Sequence, residues 1–422
     1  MKRTLISGLV AGLAFSSLVG CGGGADSSSG GSNLLATTTA CYTAWKSTAV
    51  YNGGDHASYN SVNYTAAYWT QNQNPSTNNG PSGSGQPWIK NGACGGSTPT
   101  PAPTPTPTPA PTPTPTGLVF GPYKDVTINL NWNTNVLTTK VTGTAQPVLS
   151  VLPSKAKTVS WAFATGECGS ENWGGVQGAA LASANVQNFV NAGRHYILST
   201  GGAAGSFSCG SDSGFEAFIN RYKSANLVGV DFDIEAGQTQ SVIDNLVQRV
   251  KSAQGQHPGM RFSFTLATLG GNSSQSLGSM GVNVMNSIRS HGLTNYYVNL
   301  MAMDYGSAIA SNCTLGSNGK CDMAQSAIQA AKNLHNYWGV PYNHIELTPM
   351  IGGNDAQDET FTLGNVNTMS SWAKSNGLAG IHYWSLDRDT DCAPGFASPT
   401  CNSYGSAGNW GFANRFISAL GL

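Results

Sequence analysis

Eight apolar segments alternate with amphipathic segments through the last three quarters of the chain. The apolar segments are nearly continuous, as expected of strands that are buried on both faces. The predicted strands are Val126–Asn131, Thr158–Ala164, Tyr196–Ser199, Leu227–Ile234, Arg261–Ala267, Tyr297–Met303, Ile345–Met350 and Gly380–Leu386. The predicted helices between them include Ala184–Ala192, Gly214–Ser224, Ser241–Ala253, Met323–Trp338 and Val366–Ser375.

This alternation predicts an α/β domain, and eight strands favour a (β/α)₈ TIM barrel. An open, doubly wound sheet is the alternative. The chain has no GxGxxG pattern, and the glycines of 201–205 follow a strand without that spacing, which disfavours a phosphate-binding loop.

Composition divides the chain into five segments: a signal peptide (1–21), a tether rich in Gly, Ser and Thr (22–39), a small module (40–95), a Thr/Pro-rich linker (96–117) and the barrel (118–422). The linker alternates Pro with Thr or Ala, which favours an extended polyproline II spacer. The small module is predicted to be all-β.

The first residues are typical of an export signal. Lys2 and Arg3 precede an apolar run that ends in Leu18-Val19-Gly20-Cys21. This ending resembles a bacterial lipobox, which implies a lipid anchor on Cys21; ordinary signal cleavage is the alternative. We therefore expect a secreted protein, held at a membrane only through that anchor.

Nine cysteines are present, and removing Cys21 leaves an even number, which suits an oxidising compartment. Proximity along the chain favours the pairs Cys41–Cys94, Cys168–Cys209, Cys313–Cys321 and Cys392–Cys401. Connectivity does not follow from sequence alone. The chain has no CxxC pair and its histidines are scattered, so we expect no metal site.

Charge excludes one class of partner. Lysine plus arginine and aspartate plus glutamate number 20 each, so the net charge is 20 − 20 = 0, and only 9% of residues are charged. Nucleic-acid binding needs clustered lysine and arginine, so it is not expected.

The small module is rich in aromatic residues, more than a core of its size can hide. Some of them should therefore be exposed and available to stack on sugar rings. A compact module whose aromatic residues are all internal is the alternative. The aromatic residues are Tyr42, Trp45, Tyr51, Tyr59, Tyr64, Tyr68, Trp69 and Trp88.

The segment Val228–Glu235 carries the strongest chemical signal. On a strand, Asp231, Asp233 and Glu235 share one face, at the carboxyl end where barrel active sites are built. Crowding and burial raise the pKa of at least one of these carboxyl groups, and a glycosidase needs such a protonated acid. A site for Mg²⁺ or Ca²⁺ is the alternative.

This segment resembles the DxxDxDxE signature of family 18 glycoside hydrolases, the chitinases. The resemblance implies that Glu235 is the general acid/base, that Asp233 steers the N-acetyl group of the substrate, and that Asp231 tunes Asp233. The substrate's own N-acetyl oxygen acts as the nucleophile in this family, which retains the anomeric configuration.

Further motifs occur in the order that this family implies. Ser199-Thr200-Gly201-Gly202 matches SxGG, Met301–Tyr305 lies at the MxYD motif, and Trp384 lies where the family has the tryptophan under the scissile sugar. The resemblance thus implies substrate binding by Ser199, Gly201, Gly202, Met301, Asp304, Tyr305 and Trp384.

Two positions depart from the family pattern. Val228 replaces the first aspartate of the signature, which we expect to change only the pH profile. Met303 replaces the tyrosine of MxYD, and we expect the hydroxyl of Tyr305 to take over its role.

The small module resembles the chitin-binding modules of carbohydrate-binding families 5 and 12. The resemblance implies that Tyr68 and Trp69 lie at the sugar-binding face, while Trp45, Tyr64 and Trp88 belong more to the core.

Together these observations predict a chitinase that binds chitin and N-acetylglucosamine oligomers, without a cofactor and as a monomer. Fewer than 30 residues lie between the last two strands, from Ile351 to Ala379, too few for the extra domain that deepens some family clefts. An open groove and internal cleavage are expected. An inactive chitin-binding lectin and an endo-β-N-acetylglucosaminidase acting on glycans are the alternatives.

Overall fold

The computed structural model describes residues 40–94, 117–235 and 237–422. The predicted signal peptide, Cys21, the tether and nearly all of the linker lie outside the described residues. The described chain divides into two compact units, the small module (40–94) and the barrel unit (117–422).

The small module is an all-β unit. Two strands pair with each other, and three others form an antiparallel sheet in the order β2-β3-β5. Its described strands are β1 Val50–Tyr51, β2 His56–Tyr59, β3 Val62–Ala66, β4 Thr70–Gln71 and β5 Trp88–Ala93. Its core is small and includes Tyr64 and Trp88.

The barrel unit is built on a closed parallel sheet. Within the described chain, eight strands close this barrel, each paired in parallel with its neighbours and the last paired with the first. They are β6 Val119–Asp125, β7 Thr158–Ala164, β8 His195–Gly201, β9 Leu227–Asp233, β10 Arg261–Ala267, β11 Tyr297–Ala302, β12 Ile345–Pro349 and β13 Gly380–Tyr383. The structure thus supports the barrel and excludes the open sheet.

A helical segment follows each barrel strand. In chain order these are α1 Val148–Val151, α2 Gly178–Asn191, α3 Asp212–Tyr222, α4 Gln240–Gln256, α5 Ser279–His291, α6 Met323–Asn333, α7 Leu363–Ser375 and α8 Gly411–Leu420. Apolar residues on the outward faces of the strands, such as Val230 and Phe232, form one continuous core with the helices. Helix α7 begins with a capping box in which Thr362 and Asn365 satisfy each other's backbone N–H groups.

The prediction of the first barrel strand was wrong. The strand is Val119–Asp125, not Val126–Asn131, which forms turns. The true strand contains Gly121, Pro122 and Lys124, residue types that are poor indicators of a buried strand. Close packing explains the glycine, because a Cβ there would lie 1.9 Å from the carbonyl oxygen of Thr158. Buried Lys124 is neutralised by Asp387.

Four disulfide bonds join the described cysteines: Cys41–Cys94, Cys168–Cys209, Cys313–Cys321 and Cys392–Cys401. The predicted pairing is confirmed. None of the helices among the described residues is long and apolar enough to cross a membrane.

Between β12 and α7 the chain forms a short antiparallel hairpin, in which Gly352–Gly353 pairs with Thr360–Phe361. This interval therefore holds one hairpin and one helix. It contains no inserted domain, which is what the short spacing predicted. We call residues 352–361 the β12 hairpin.

Candidate active site

Two cavities meet at Glu235 on the carboxyl side of the barrel strands. One has a volume of about 280 Å³ and is lined by Trp384, Phe163 and Asp233, among others; we call it the Trp384 cavity. The other has about 250 Å³ and is lined by Leu269 and Gly278; we call it the Leu269 cavity. Glu235, Met301, Met303 and Asp304 line both cavities. A polymer lying across the two cavities would pass Glu235.

Asp231 lies inside the barrel, as the alternation along β9 predicted. Its carboxylate accepts hydrogen bonds from residues of three other strands, which only an inward orientation allows. The donors are the hydroxyl groups of Tyr123 at 3.0 Å, Ser199 at 2.7 Å, Ser263 at 2.8 Å and Thr265 at 2.7 Å. Burial raises the pKa of Asp231, and the hydrogen bonds from Ser199, Thr265 and Ser263 oppose the rise because they favour the charged form.

A second layer of hydrogen bonds fixes those donors. The side-chain amide of Asn299 donates to the hydroxyl oxygens of Tyr123 and Thr265, each at 2.9 Å. The hydroxyl of Thr348 in turn donates to Asn299 at 2.8 Å. The oxygens of Asp231 are thereby occupied by protein donors, which argues against the alternative of a cation cage at this carboxylate.

Asp233 lies one step farther along the same face of β9 and lines the Trp384 cavity. Its Oδ1 atom is buried and accepts no hydrogen bond from the residues that the structure describes. Burial, Glu235 and Asp231, in that order, raise the pKa of Asp233 well above its ordinary value. This oxygen is available to a donor that enters the cavity, and the carboxyl group holds a proton more strongly than usual.

Glu235 follows the end of β9 and is half-buried where the two cavities meet. Burial, followed by the negative charge of Asp304, raises the pKa of its carboxyl group. The raised pKa favours a protonated carboxyl beside an open groove, which is the state that a general acid requires.

Trp384 forms an aromatic wall of the Trp384 cavity together with two residues that the sequence analysis missed. The ring of Phe163 stacks on Trp384, and Tyr123 lies at an inclined angle with ring centroids 6.3 Å apart. Tyr123 belongs to the strand whose position was mispredicted. Phe163 lies in a correctly predicted strand, but nothing in the local pattern marks its orientation.

Residues of the SxGG segment pack against the strand that carries the acidic residues. The hydroxyl of Ser199 is fully buried and donates to Asp231, so this residue is not placed to contact a substrate as the resemblance implied. A Cβ on Gly201 would lie 2.1 Å from the carbonyl oxygen of Asp233, and one on Gly202 would lie 2.6 Å from the Phe163 ring. The two glycines allow the backbone to pack closely against the site.

Asp304 lines the same two cavities as Glu235, whereas Tyr305 lines neither of them. Asp304 and Met301 line both cavities, and Met303 lines them too. Tyr305 is buried behind Asp304, and its hydroxyl is enclosed away from both cavities. The expectation that Tyr305 replaces the missing tyrosine of the motif is therefore wrong. Tyr123 is the tyrosine that lines the Trp384 cavity.

Val228 lies in an apolar cluster with Val119 and Ile197. The pairing of β8 with β9 is irregular at this residue. Tyr196 pairs with Leu227 and the next residue, Ile197, pairs with Gly229, so Val228 lies between the two pairs. An aspartate at this position would be buried among apolar side chains, so the local packing matches the valine.

The aromatic residues of the small module divide into two groups. Tyr68 and Trp69 are adjacent and exposed, by 47% and 60%. Trp88 and Tyr64 are buried in the core, and Trp45 packs against it. The alternative in which all the aromatic residues are internal does not hold for Tyr68 and Trp69.

One cluster of possible metal ligands occurs among the described residues, formed by Glu167, Cys168 and Cys209. The two cysteines form a disulfide bond, so their sulfur atoms are not free thiolates. This cluster therefore lacks the donors that a metal site would need.

Two curated proteins are similar to the chain. It is 30% identical over 255 residues to a probable bifunctional chitinase/lysozyme from Escherichia coli K12, covering 53% of the chain and 27% of that protein. It is 29% identical over 294 residues to endochitinase 11 from Metarhizium anisopliae, covering 65% of the chain and 53% of that protein. The chain thus spans about a quarter and about half the length of these relatives. No family model matches it.

Solved structures share the barrel. Catalytic-site mutants of active domain 2 of a thermostable chitinase from Pyrococcus furiosus, complexed with chito-oligosaccharides, match with a TM-score of 0.57 and 24% sequence identity. The match covers 74% of this chain and 96% of that one. At this identity the likeness establishes the fold of the barrel unit.

Proposed function

We propose that this protein is a chitinase that hydrolyses the β-1,4 bonds between N-acetylglucosamine units, with Glu235 as the general acid/base. One observation carries the proposal: Glu235, whose pKa is raised, lies at the junction of two cavities beside Asp233, which has a free buried oxygen. The similarity to two chitinases supports the same function.

The arrangement suits a substrate-assisted mechanism. Glu235 donates its proton to the glycosidic oxygen as the bond to C1 breaks. The N-acetyl carbonyl oxygen of the same sugar attacks C1, so no protein carboxylate acts as nucleophile. Asp233 accepts a hydrogen bond from the N-acetyl N–H and stabilises the positive charge that develops there. Glu235, now deprotonated, removes a proton from water, which attacks C1 as the bond between C1 and the N-acetyl oxygen breaks. This step restores the N-acetyl group, returns the proton to Glu235 and gives the β-anomer.

Asp231 has a supporting role in this scheme. It lies below Asp233, and its charge contributes to the raised pKa of Asp233. Four hydroxyl donors hold it in one orientation, so its effect on Asp233 is preorganised.

The shape of the site favours cleavage within a chain. Cavities lie on both sides of Glu235, and only the β12 hairpin and a helix occupy the interval where a cleft-deepening domain would be inserted. Sugar units can therefore occupy both sides of the scissile bond, with Trp384 offering a flat apolar surface to one ring.

The small module would hold the enzyme on insoluble chitin through Tyr68 and Trp69, because exposed aromatic rings stack on pyranose faces. The proline-rich linker would keep the catalytic unit near the polymer and raise its effective concentration. The disulfide bonds support an extracellular location. We further propose that a lipid on Cys21 anchors the protein at the cell surface.

Substrate comparison tests the proposed function. The full chain is incubated with an N-acetylglucosamine hexamer, with peptidoglycan and with a high-mannose glycoprotein, and the products are identified by mass spectrometry. We expect short oligomers from the hexamer and little release from the other two. Preferred release from the glycoprotein or from peptidoglycan would replace the proposed substrate, and binding without hydrolysis would indicate a lectin.

A further inference from the structure

Glu359 is a buried acidic residue to which the proposed mechanism gives no role. It lies in the β12 hairpin, between Asp355 and the strand that begins at Thr360, and its side chain is almost fully enclosed. Its Oε2 atom accepts a hydrogen bond from the backbone N–H of Tyr305 at 3.0 Å, and the N–H of Gly306 also bonds this carboxyl group. Its other oxygen, Oε1, is buried without a partner among the described residues.

These bonds hold a turn whose backbone is unusual. Asp304, which lines both cavities beside Glu235, has a backbone φ of 49°. This value lies in the left-handed region, which residues other than glycine rarely adopt. A residue remains in that region only when its surroundings determine its conformation. Two donors of the same turn, the N–H groups of Tyr305 and Gly306, end on Glu359.

The β12 hairpin contacts Asp304 at two further points. The backbone N–H of Ala356 donates to Oδ1 of Asp304 at 3.0 Å, and the N–H of Asp304 donates to the side-chain oxygen of Asn354 at 3.3 Å. The backbone of Glu359 also takes part in the hairpin. Its N–H donates to the carbonyl oxygen of Ala356, and its carbonyl oxygen accepts from the N–H of Asn354. The hairpin and the turn therefore form one connected unit.

We propose that Glu359 is a positioning residue of the active site, whose buried carboxyl group holds the Asp304–Tyr305–Gly306 turn and thereby fixes Asp304 beside Glu235. This inference rests on the proposed function for its activity test, but not for its structural test. Glu359 touches neither cavity and acts only through Asp304.

Several charged groups face this unit. Asp304 and Asp358 lie near Glu359, and the guanidinium of Arg388, buried behind Asp304 and Asp355, donates to the carbonyl oxygens of Ile351 and Gly353. Burial, followed by the negative charge of Asp304, raises the pKa of Glu359 to about 7, while the two N–H donors oppose the rise. Glu359 should therefore become charged near neutral pH.

Kinetic variants test the positioning role. Glu359→Ala removes the acceptor, whereas Glu359→Gln keeps an oxygen acceptor of nearly the same shape. Glu171→Ala is the matched control, because Glu171 is an equally buried glutamate that binds Arg221 and Tyr222 elsewhere in the barrel unit. The kcat and KM of each folded variant are measured on an N-acetylglucosamine hexamer at pH 5.5, with circular dichroism as the test of folding.

We expect kcat of Glu359→Ala to fall by at least about tenfold, kcat of Glu359→Gln to stay within about threefold of wild type, and kcat of Glu171→Ala to be unchanged. A kcat for Glu359→Ala within threefold of wild type would overturn the proposal. An equal loss in Glu171→Ala would do so too, since it would show a general effect of removing a buried carboxyl group.

An NMR titration tests the contact without any assay of activity. The sequence contains a single Asp-Tyr pair, Asp304-Tyr305, so labelling aspartate with ¹³C at the carbonyl and tyrosine with ¹⁵N selects the amide of Tyr305. In wild type its shift should titrate with a midpoint near pH 7, and this step should disappear in Glu359→Gln. Identical titrations in both proteins would refute the inference. Failure of the wild type to hydrolyse chitin oligomers would instead refute the proposed function.

Discussion

The rings of Phe163 and Trp384 stack with centroids 5.6 Å apart and planes inclined by 18°. Phe163 comes from β7 and Trp384 follows β13, so two distant segments build one aromatic surface of the Trp384 cavity. The stack fixes the orientation of the tryptophan that would lie under the sugar ring.

Substituting Trp384 and substituting Phe163 should both weaken transition-state binding, but by different amounts. Trp384→Ala deletes the surface itself, and we expect kcat/KM on an N-acetylglucosamine hexamer to fall by at least about tenfold. Phe163→Leu loosens the support, and we expect a smaller loss of about threefold. Steady-state kinetics measures both. A loss in Phe163→Leu larger than that in Trp384→Ala would contradict the assignment of Trp384 as the contact surface.

Ser199→Ala should raise the pKa of Asp231 further. The hydrogen bond from the hydroxyl of Ser199 lowers the pKa of Asp231, so its loss leaves the effect of burial less opposed. We therefore expect the acidic limb of the kcat profile to move to higher pH, with a fall in kcat of about threefold to thirtyfold. Ser170→Ala, at an exposed serine, is the control. An unshifted acidic limb in Ser199→Ala would show that Asp231 is not titrating in that range.

Substitutions in the small module should separate binding to chitin from hydrolysis of soluble oligomers. Trp69→Ala should abolish most binding to crystalline chitin, because Trp69 is exposed, while hydrolysis of soluble oligomers should stay at the wild-type rate. Trp88→Ala should instead unfold the module, since emptying a buried tryptophan site costs about 3–5 kcal/mol. Pull-down with chitin particles and circular dichroism distinguish the two. Full retention of chitin binding by Trp69→Ala would contradict the proposed face.

Acid stability should depend on Glu346. Burial alone would raise the pKa of its carboxyl group, but Arg261, whose Nε donates at 2.6 Å, and His382 lower it to about 2. Because the folded pKa is depressed, this stabilisation is present above the unfolded pKa of about 4.3 and is lost as the pH falls toward 2. We expect Glu346→Gln to have a lower Tm at pH 6 and a smaller fall in Tm between pH 5 and pH 2. A steeper fall in the variant would contradict this account.

Part of this fold and site followed from the sequence alone. The eight-strand alternation predicted the barrel, and the acid spacing along β9 predicted the inward carboxylates of Asp231 and Asp233. Both depend on local periodicity, which the residues between the acids, Val230 and Phe232, display clearly. Cysteine proximity predicted all four disulfide bonds among the described residues.

The rest depended on contacts between distant segments. Gly121 and Pro122 are residue types that do not indicate a strand. The glycine is needed because the backbone of Thr158, in the neighbouring strand, approaches closely, and this contact is not visible in the local sequence. Tyr305 was expected to supply a hydroxyl group to the site because it lies two positions after Met303, but β11 ends at Ala302 and Tyr305 is buried in the turn that follows. The role proposed for Glu359 depends on its contact with Tyr305, which lies 54 positions away along the chain.

The most direct test of the central claim compares wild type with Glu235→Gln on a soluble chitin hexamer, with products and their anomeric form followed by NMR. The account predicts that wild type releases short oligomers as the β-anomer and that Glu235→Gln, with its fold intact, is at least about 10²-fold slower. Release of the α-anomer would contradict the substrate-assisted mechanism. A variant as active as wild type would contradict the assignment of Glu235 as the general acid/base.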